Sequence, residues 1–312
     1  MILIRKLAWG KSALIILLCI PLLLFVSLFY GPFPAFRELW INTAMNTSRH
    51  KYLAQWFYTD KYIAQVLETN RISSNKKTDE VYVKPSQNQS IQYSEVKGKY
   101  YTGYIIKIGD PSVVRLVAAT SERGALLENL VTQADATGGI NASGYIADNL
   151  RGIPCGYCVL DGRVANVASE LYAGQKLAIG GMDTQNRLIV GSYTLSELAL
   201  LQMRWAVEFG PVLVVNGEKT EITSQAGGLA PRTAIGQTQN GAILLLVVDG
   251  RQRTSIGATY ADLQTILYAN GAVNAIVLDG GSSSSMVYDG QLVNSPSNGT
   301  ADRLLPNAIV YK

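Results

Sequence analysis

Two aspartates stand where aliphatic runs end. Asp279 closes "NAIVL" and is followed by "GGSSSSM"; Asp249 closes "AILLLVV" and is followed by Gly-Arg. Strand ends that share a cleft are where open sheets bind ligands. Two positioned carboxylates are what glycoside cleavage commonly uses, one beside the anomeric carbon and one on water or the sugar. For both residues a plain Asp-Gly turn remains the alternative, and Asp161 and Asp289 are read that way. Gly280 and Gly281 let backbone N–H groups approach an anion without a Cβ in the way. Ser282 and Ser283 add hydroxyl donors. Three arginines complete the set: Arg232 in "APRTAIG", Arg251 in "VVDGR" and Arg303 in "TADRLLPNAIV". Arginine grips phosphate bidentately where lysine does not; the alternative for each is a surface ion pair.

Other chemistries are excluded by what the chain lacks. His50 is the only histidine and falls far from these motifs, so neither a Ser-His-Asp triad nor a His-rich zinc site can be assembled. Cys155 and Cys158 form "CGYC". They are a disulfide candidate outside the cytoplasm, with free thiols and a redox or metal role as alternatives. No cofactor is called for. A divalent cation shared by Asp249 and Asp279 stays open, although no calcium loop is present. The net charge is +4 with no concentrated basic stripe, which argues against nucleic acid as a partner.

The elements that must position these residues follow from periodicity. From about residue 91, short strands bounded by Gly, Asp and Pro alternate with turn signals at Asp161-Gly162, Asn216-Gly217 and Asn240-Gly241. "TYADLQTILYANGA" reads as a helix ending near Gly271. "VNAIVL" is continuously apolar, so it reads as a central strand covered on both faces. The expectation is an α+β fold, a single domain around a mixed, hairpin-rich β-sheet with helices, over residues 91–312. Residues 12–30 carry no charge, and Arg5, Lys6 and Lys11 precede them. Residues 1–34 therefore read as a cytoplasmic tail and an uncleaved transmembrane anchor that leaves the rest outside. Residues 35–90 read as a helical stalk and a polar linker.

Taken in order and spacing, "APRTAIG", "VVDGR", "VNAIVLDGGSSSSM" and "RLLPNAIVYK" resemble the phosphodiester glycosidase family over roughly residues 95–312. That resemblance implies a hydrolase cleaving the sugar C1–phosphate bond of a glycosyl-1-phosphodiester. Its bacterial members imply a cell-surface setting and a phosphosugar or polysaccharide substrate. It places the family's motif residues on Arg232, Asp249, Asp279 and Arg303. Asp279 is then expected nearest the anomeric carbon, with Asp249 as its partner. Arg232 and Arg303, with the Gly280–Ser283 backbone, would hold the phosphate, and Asn141 would contact sugar hydroxyls. The family's Asn-Gly-Gly is here Asn141-Ala142-Ser143. That departure keeps a second reading open, a non-catalytic phosphosugar-polymer binding or assembly protein. Glu208 is a further cleft candidate with no role to transfer.

Overall fold

The computed structural model describes residue 17 and residues 19–47, 50–70, 76–78, 83–84, 88–145, 152–166, 175–297 and 303–312. The chain divides into two units, residues 1–69 and 70–312.

In the first unit, helices α1 (Cys19–Tyr30), α2 (Pro34–Met45), α3 (Tyr52–Gln55) and α4 (Asp60–Thr69) are described. The helical spacing of the stalk sequence places Ile41, Ala44, Ala54, Ile63 and Val66 in one small core. Among the described residues no single helix is long and apolar enough to cross a membrane. α1 and α2 meet that requirement only as a pair bent by 79°. Most of the tail and the first residues of the expected anchor lie outside the described residues, as does most of the linker expected before residue 90.

The second unit is built from three sheets. The seven-stranded sheet runs β1 (Ile91–Lys97), β2 (Thr102–Ile108), β13 (Ile243–Val248), β12 (Arg232–Thr238), β14 (Ala272–Leu278), β10 (Val212–Val215), β11 (Glu218–Lys219). A five-stranded sheet runs β16 (Gln291–Leu292), β15 (Met286–Tyr288), β4 (Gly138–Asn141), β17 (Asn307–Tyr311), β3 (Val114–Ala118). Another runs β6 (Arg163–Asn166), β5 (Cys158–Leu160), β9 (Met203–Glu208), β7 (Leu177–Asp183), β8 (Leu188–Tyr193). Every pairing within them is antiparallel. This corrects the expected single mixed sheet. Tight hairpins supply antiparallel neighbours directly, whereas a parallel pair needs a long crossover.

All three sheets share one core, with Ile106, Leu116, Ile140, Met182, Trp205, Ile235, Leu245 and Ile276 in contact. The "ILLLVV" of β13 is apolar throughout because both its faces are covered. Ile243, Leu245 and Val247 enter the shared core, while Leu244, Leu246 and Val248 face helix α7 (Tyr260–Ala269). Helix α7 opens with a Thr259/Asp262 capping box, which satisfies N–H groups left unpaired in its first turn. Helix α5 (Leu127–Gln133) covers the outer face of the five-stranded sheet through Leu127, Leu130 and Val131.

Candidate functional site

Strand register gathers the site. β12 lies between β13 and β14, antiparallel to both, with Arg232 opposite Val248 and Thr233 opposite Leu278. The start of β12 thus meets the ends of β13 and β14 at one edge, which places Arg232, Asp249 and Asp279 together. β4 joins this edge: Asp279 N–H donates to Ala142 O at 3.0 Å.

Beside Asp279 opens a cleft of about 670 Å³, lined by Tyr145, Cys155, Glu208, Phe209, Tyr260 and Arg303 among others. The Asp279 carboxyl accepts hydrogen bonds from the Ser283 hydroxyl and the Gly280 N–H. Its Oδ2 has no hydrogen-bond partner among the described residues. Burial pushes its pKa up to about 6, against the opposing effects of Ser283, Arg303 and the Gly280 N–H. Asp279 thus combines a pKa near neutrality, a place on the cleft wall and one buried oxygen with no partner among the described residues, the features of a group that can exchange a proton with a ligand.

The second carboxylate on the cleft wall is Glu208, the last residue of β9. Its Oε2 accepts from Tyr157 N–H at 2.9 Å. Gly156 makes this approach feasible: its φ is +76°, and a Cβ there would overlap Glu208 Oε2. "CGYC" is therefore a carboxylate cradle. Of the alternatives open for the pair, the structure has Cys155 and Cys158 as two free thiols rather than a disulfide. Cys155 faces the cleft, whereas Cys158 packs into the shared core and receives Asn307 Nδ2 at 3.7 Å. Burial pushes the Cys155 thiol pKa up, and Glu208 and Asp279 add to it. Both carboxylates are thus electrostatic neighbours of that thiol.

The three arginines differ in how they are used. Arg232 is buried; its Nε donates to Ala258 O at 3.1 Å and its Nη2 to the carbonyls of Gly227 and Gly228. Its guanidinium also stacks on the Tyr260 ring, 4.2 Å from the centroid. Arg232 therefore braces the cleft wall through three backbone carbonyls and the Tyr260 ring. Arg303 does face the cleft, stacked on Tyr145 at 4.3 Å. Its Nε donates to Ser283 Oγ at 3.0 Å, and among the described residues its terminal nitrogens have no protein acceptor. Arg251, at φ +60°, packs its guanidinium against Gly281. Desolvation lowers its pKa, and the positive charges of Arg232 and Arg303 lower it further. Arg251 and Arg303 thus lie within electrostatic reach of each other, and neither is paired with a carboxylate among the described ion pairs.

Asn141 is fully buried. Its Nδ2 donates to Asp279 O at 2.6 Å, and its Oδ1 accepts from Thr233 Oγ1 at 2.8 Å and Ser285 N–H at 3.1 Å. Its Nδ2 is thus spent on the Asp279 backbone and its Oδ1 on Thr233 and Ser285, so that it ties the ends of β4, β12 and β14 together. Asp249 is also buried. Its oxygens accept from Asn294 Nδ2 at 2.9 Å, Ser295 N–H at 3.1 Å and the Tyr104 hydroxyl. Those bonds tie the segment after β16 to the end of β13. The expected backbone cradle is mostly spoken for: Gly281 N–H donates to Pro231 O at 2.8 Å and Ser283 N–H to Gly280 O at 3.2 Å. Ser282 alone in Gly280–Ser283 has neither its N–H nor its hydroxyl bonded among the described residues. Tyr145 and Phe209 were not signalled by any motif. Among the described residues no three His, Cys, Asp or Glu side chains converge as a metal site.

The phosphodiester glycosidase family model matches residues 134–312. The mouse N-acetylglucosamine-1-phosphodiester alpha-N-acetylglucosaminidase is 24% identical over 236 residues, covering 68% of this chain and 44% of that protein. The human enzyme of that name is 30% identical over 109 residues, covering 32% of this chain and 21% of that one. The SPbeta prophage-derived uncharacterized protein YomE of Bacillus subtilis is 41% identical over 69 residues, 22% of this chain and 11% of its own. The chain thus spans less than half the length of each of these relatives. The solved catalytic domain of the zebrafish enzyme, auto-inhibited by its pro-peptide, superposes with a TM-score of 0.61 at 19% identity. It covers 76% of this chain and 87% of that one, and shares the fold.

Proposed function

Because the chain belongs to the phosphodiester glycosidase family, we propose that it hydrolyses the bond between a sugar's anomeric carbon and phosphate in a glycosyl-1-phosphodiester. The observation that carries this reading is the Asp279 carboxyl on the wall of a cleft that Arg303 also lines, with Arg251 packed against the neighbouring Gly281 and neither arginine in a described ion pair. Arg303 and Arg251 hold the phosphate, and the sugar lies toward Glu208, Cys155 and Phe209. The C1–O bond breaks, the phosphate leaves as a monoester, and water adds to C1. The phosphate is a good leaving group, so the protein's task is to stabilise an oxocarbenium-like carbon and to activate water. Asp279, ionised above about pH 6, accepts the proton from that water. Glu208, fixed by Tyr157 N–H, faces the sugar ring from the opposite strand end.

The setting belongs to the same proposal. The uncharged run from residue 12 to residue 30, preceded by three basic residues, supports an anchored protein working on cell-envelope or exopolysaccharide material outside the membrane. The substitutions at Ala142 and Ser143 favour the non-catalytic alternative only weakly. Both are buried, and Ser143 is tied to Asn307 rather than turned to the cleft.

The test is incubation of the full-length protein with N-acetylglucosamine-1-phosphodiesters and assay of released reducing sugar. Release by the native protein and none by Asp279→Asn is expected. Binding of the diesters without any release would leave the binding-protein alternative standing and end this one.

A further inference from the structure

Arg251 begins a short loop that closes on itself and on the β1–β2 turn. Arg251 N–H donates to Ile256 O and Gln252 N–H to Ser255 O, each at 2.9 Å. Ile256 and Gly257 N–H both donate to Tyr100 O, at 2.7 and 3.1 Å. Thr102 N–H donates to Ser255 Oγ at 3.1 Å, and Ser255 Oγ donates to Asp249 O at 2.6 Å. The loop and the turn are thus locked to each other and to the end of β13. Between them lies a depression of about 290 Å³ lined by Lys97, Lys99, Tyr100, Tyr101, Arg253 and Ile256.

Its charge is poorly compensated. Lys97 is paired with Glu95 at 3.1 Å. Lys99 lies over the exposed Tyr100 ring at 4.9 Å from its centroid, and neither it nor Arg253 has a carboxylate partner among the described residues. Asp262, which acts electrostatically on Tyr101, is engaged in the α7 capping box. Two residues of backbone separate Arg253 from Arg251, at most about 7 Å. Arg251 therefore stands between the two concavities: its guanidinium lies against Gly281 beside Asp279, and its loop walls the basic depression.

We propose that this depression is a second anion subsite, which holds the phosphodiester-linked unit next along from the bond being cleaved, on the leaving-group side of a polymeric substrate. The inference rests on the reading of the cleft given above. Lys99 and Arg253 take the neighbouring phosphate, and Tyr100 supplies a flat apolar face to the linker between phosphates. A small diester ends at Arg251 and never reaches them.

The experiment compares two substrates with the full-length protein: N-acetylglucosamine-1-phosphate methyl diester and the same sugar phosphate on hexa(glycerol phosphate). In Lys99→Gln/Arg253→Gln, KM for the long substrate rises about tenfold while KM for the methyl diester stays within about twofold. The native KM for the long substrate also rises steeply with salt, and the double variant loses part of that slope. Calorimetric titration of Asp279→Asn with hexa(glycerol phosphate) reads the subsite without turnover; binding is expected, and its loss on adding the two substitutions. Equal effects on both substrates, no effect on either, or no calorimetric binding each overturns the subsite. Binding that depends on Lys99 and Arg253 in a protein that hydrolyses neither substrate leaves the subsite and removes the proposed activity.

Discussion

Arg303 Nε donates to Ser283 Oγ at 3.0 Å, and the same hydroxyl donates to the Asp279 carboxyl. One serine thus couples the cation of the anion site to the acid of the cleft. In Ser283→Ala both contacts go, and Asp279 loses a donor that holds its pKa down. kcat/KM on a sugar-1-phosphodiester should fall about 10- to 100-fold. The acidic inflection of the pH profile should also move upward. A variant that loses activity with its inflection unmoved would show Ser283 to be structural only.

The pH profile of the native protein follows from the direction of that shift. Asp279 titrates near pH 6, and its proposed role requires the ionised form. Below that value kcat/KM should drop about tenfold for each pH unit, and above it level off. A profile that instead declines from pH 6 upward would make Asp279 the acid that protonates the leaving phosphate.

The same carboxyl should weaken the fold. Its pKa is raised above the unfolded value of a carboxylate, so the folded state binds the extra proton between about pH 4 and 6. Stability therefore falls as pH rises through this window, and the penalty is complete above it. The gap corresponds to about 3 kcal/mol. Asp279→Asn removes the charge and should be more stable than the native protein at pH 8, by at most that amount, while inactive. At pH 4 the difference should vanish. Urea melts at both pH values measure it, and an Asn variant less stable at pH 8 refutes the assignment of burial as the dominant effect.

The sequence made Asp279 legible because a continuously apolar strand reads as a central one and Asp-Gly-Gly marks where it ends. Arg303 was legible as an arginine placed shortly before the last strand. Glu208 had no role legible in its own segment, because its position depends on Gly156 and Tyr157 in a hairpin some fifty residues earlier. The "CGYC" spacing allowed a bridge, but not that Cys158 turns into the core while its neighbour turns to the cleft. Arg232, Asp249 and Asn141 carry the right chemistry for a ligand; only burial and pairing reveal that protein groups have already claimed them. Three antiparallel sheets were illegible for a related reason, since hairpins specify neighbours but not which sheet they join.

Glu208 and Asp249 separate the two candidates for second carboxylate. Glu208→Gln should keep the Tyr157 N–H contact through its amide oxygen, leave the melting temperature near native and lower kcat at least about tenfold. Asp249→Ala leaves Ser295 N–H without an acceptor and Asn294 Nδ2 with only Ser284 O, and should cost about 1–3 kcal/mol of stability. Its effect on kcat/KM should be the smaller of the two once the protein is folded. The opposite ranking would restore Asp249 as the chemical partner of Asp279.

Arg232 provides the last separation, between holding a ligand and holding a wall. Its donors reach three carbonyls, and its flat face covers Tyr260, which lines the cleft. Lysine keeps the charge but has neither the planar fork nor the stacking face. Arg232→Lys should therefore lower stability by about 2–3 kcal/mol, the worth of the three hydrogen bonds from a charged group less what lysine recovers. KM for a small phosphodiester should change by less than about threefold in the folded fraction, because the phosphate rests on Arg251 and Arg303. Arg303→Lys should do the reverse, raising KM with little change in the urea midpoint. If Arg232→Lys raised KM as much as Arg303→Lys at unchanged stability, the guanidinium would have to reach the phosphate, and its three carbonyl bonds would have to open when substrate binds.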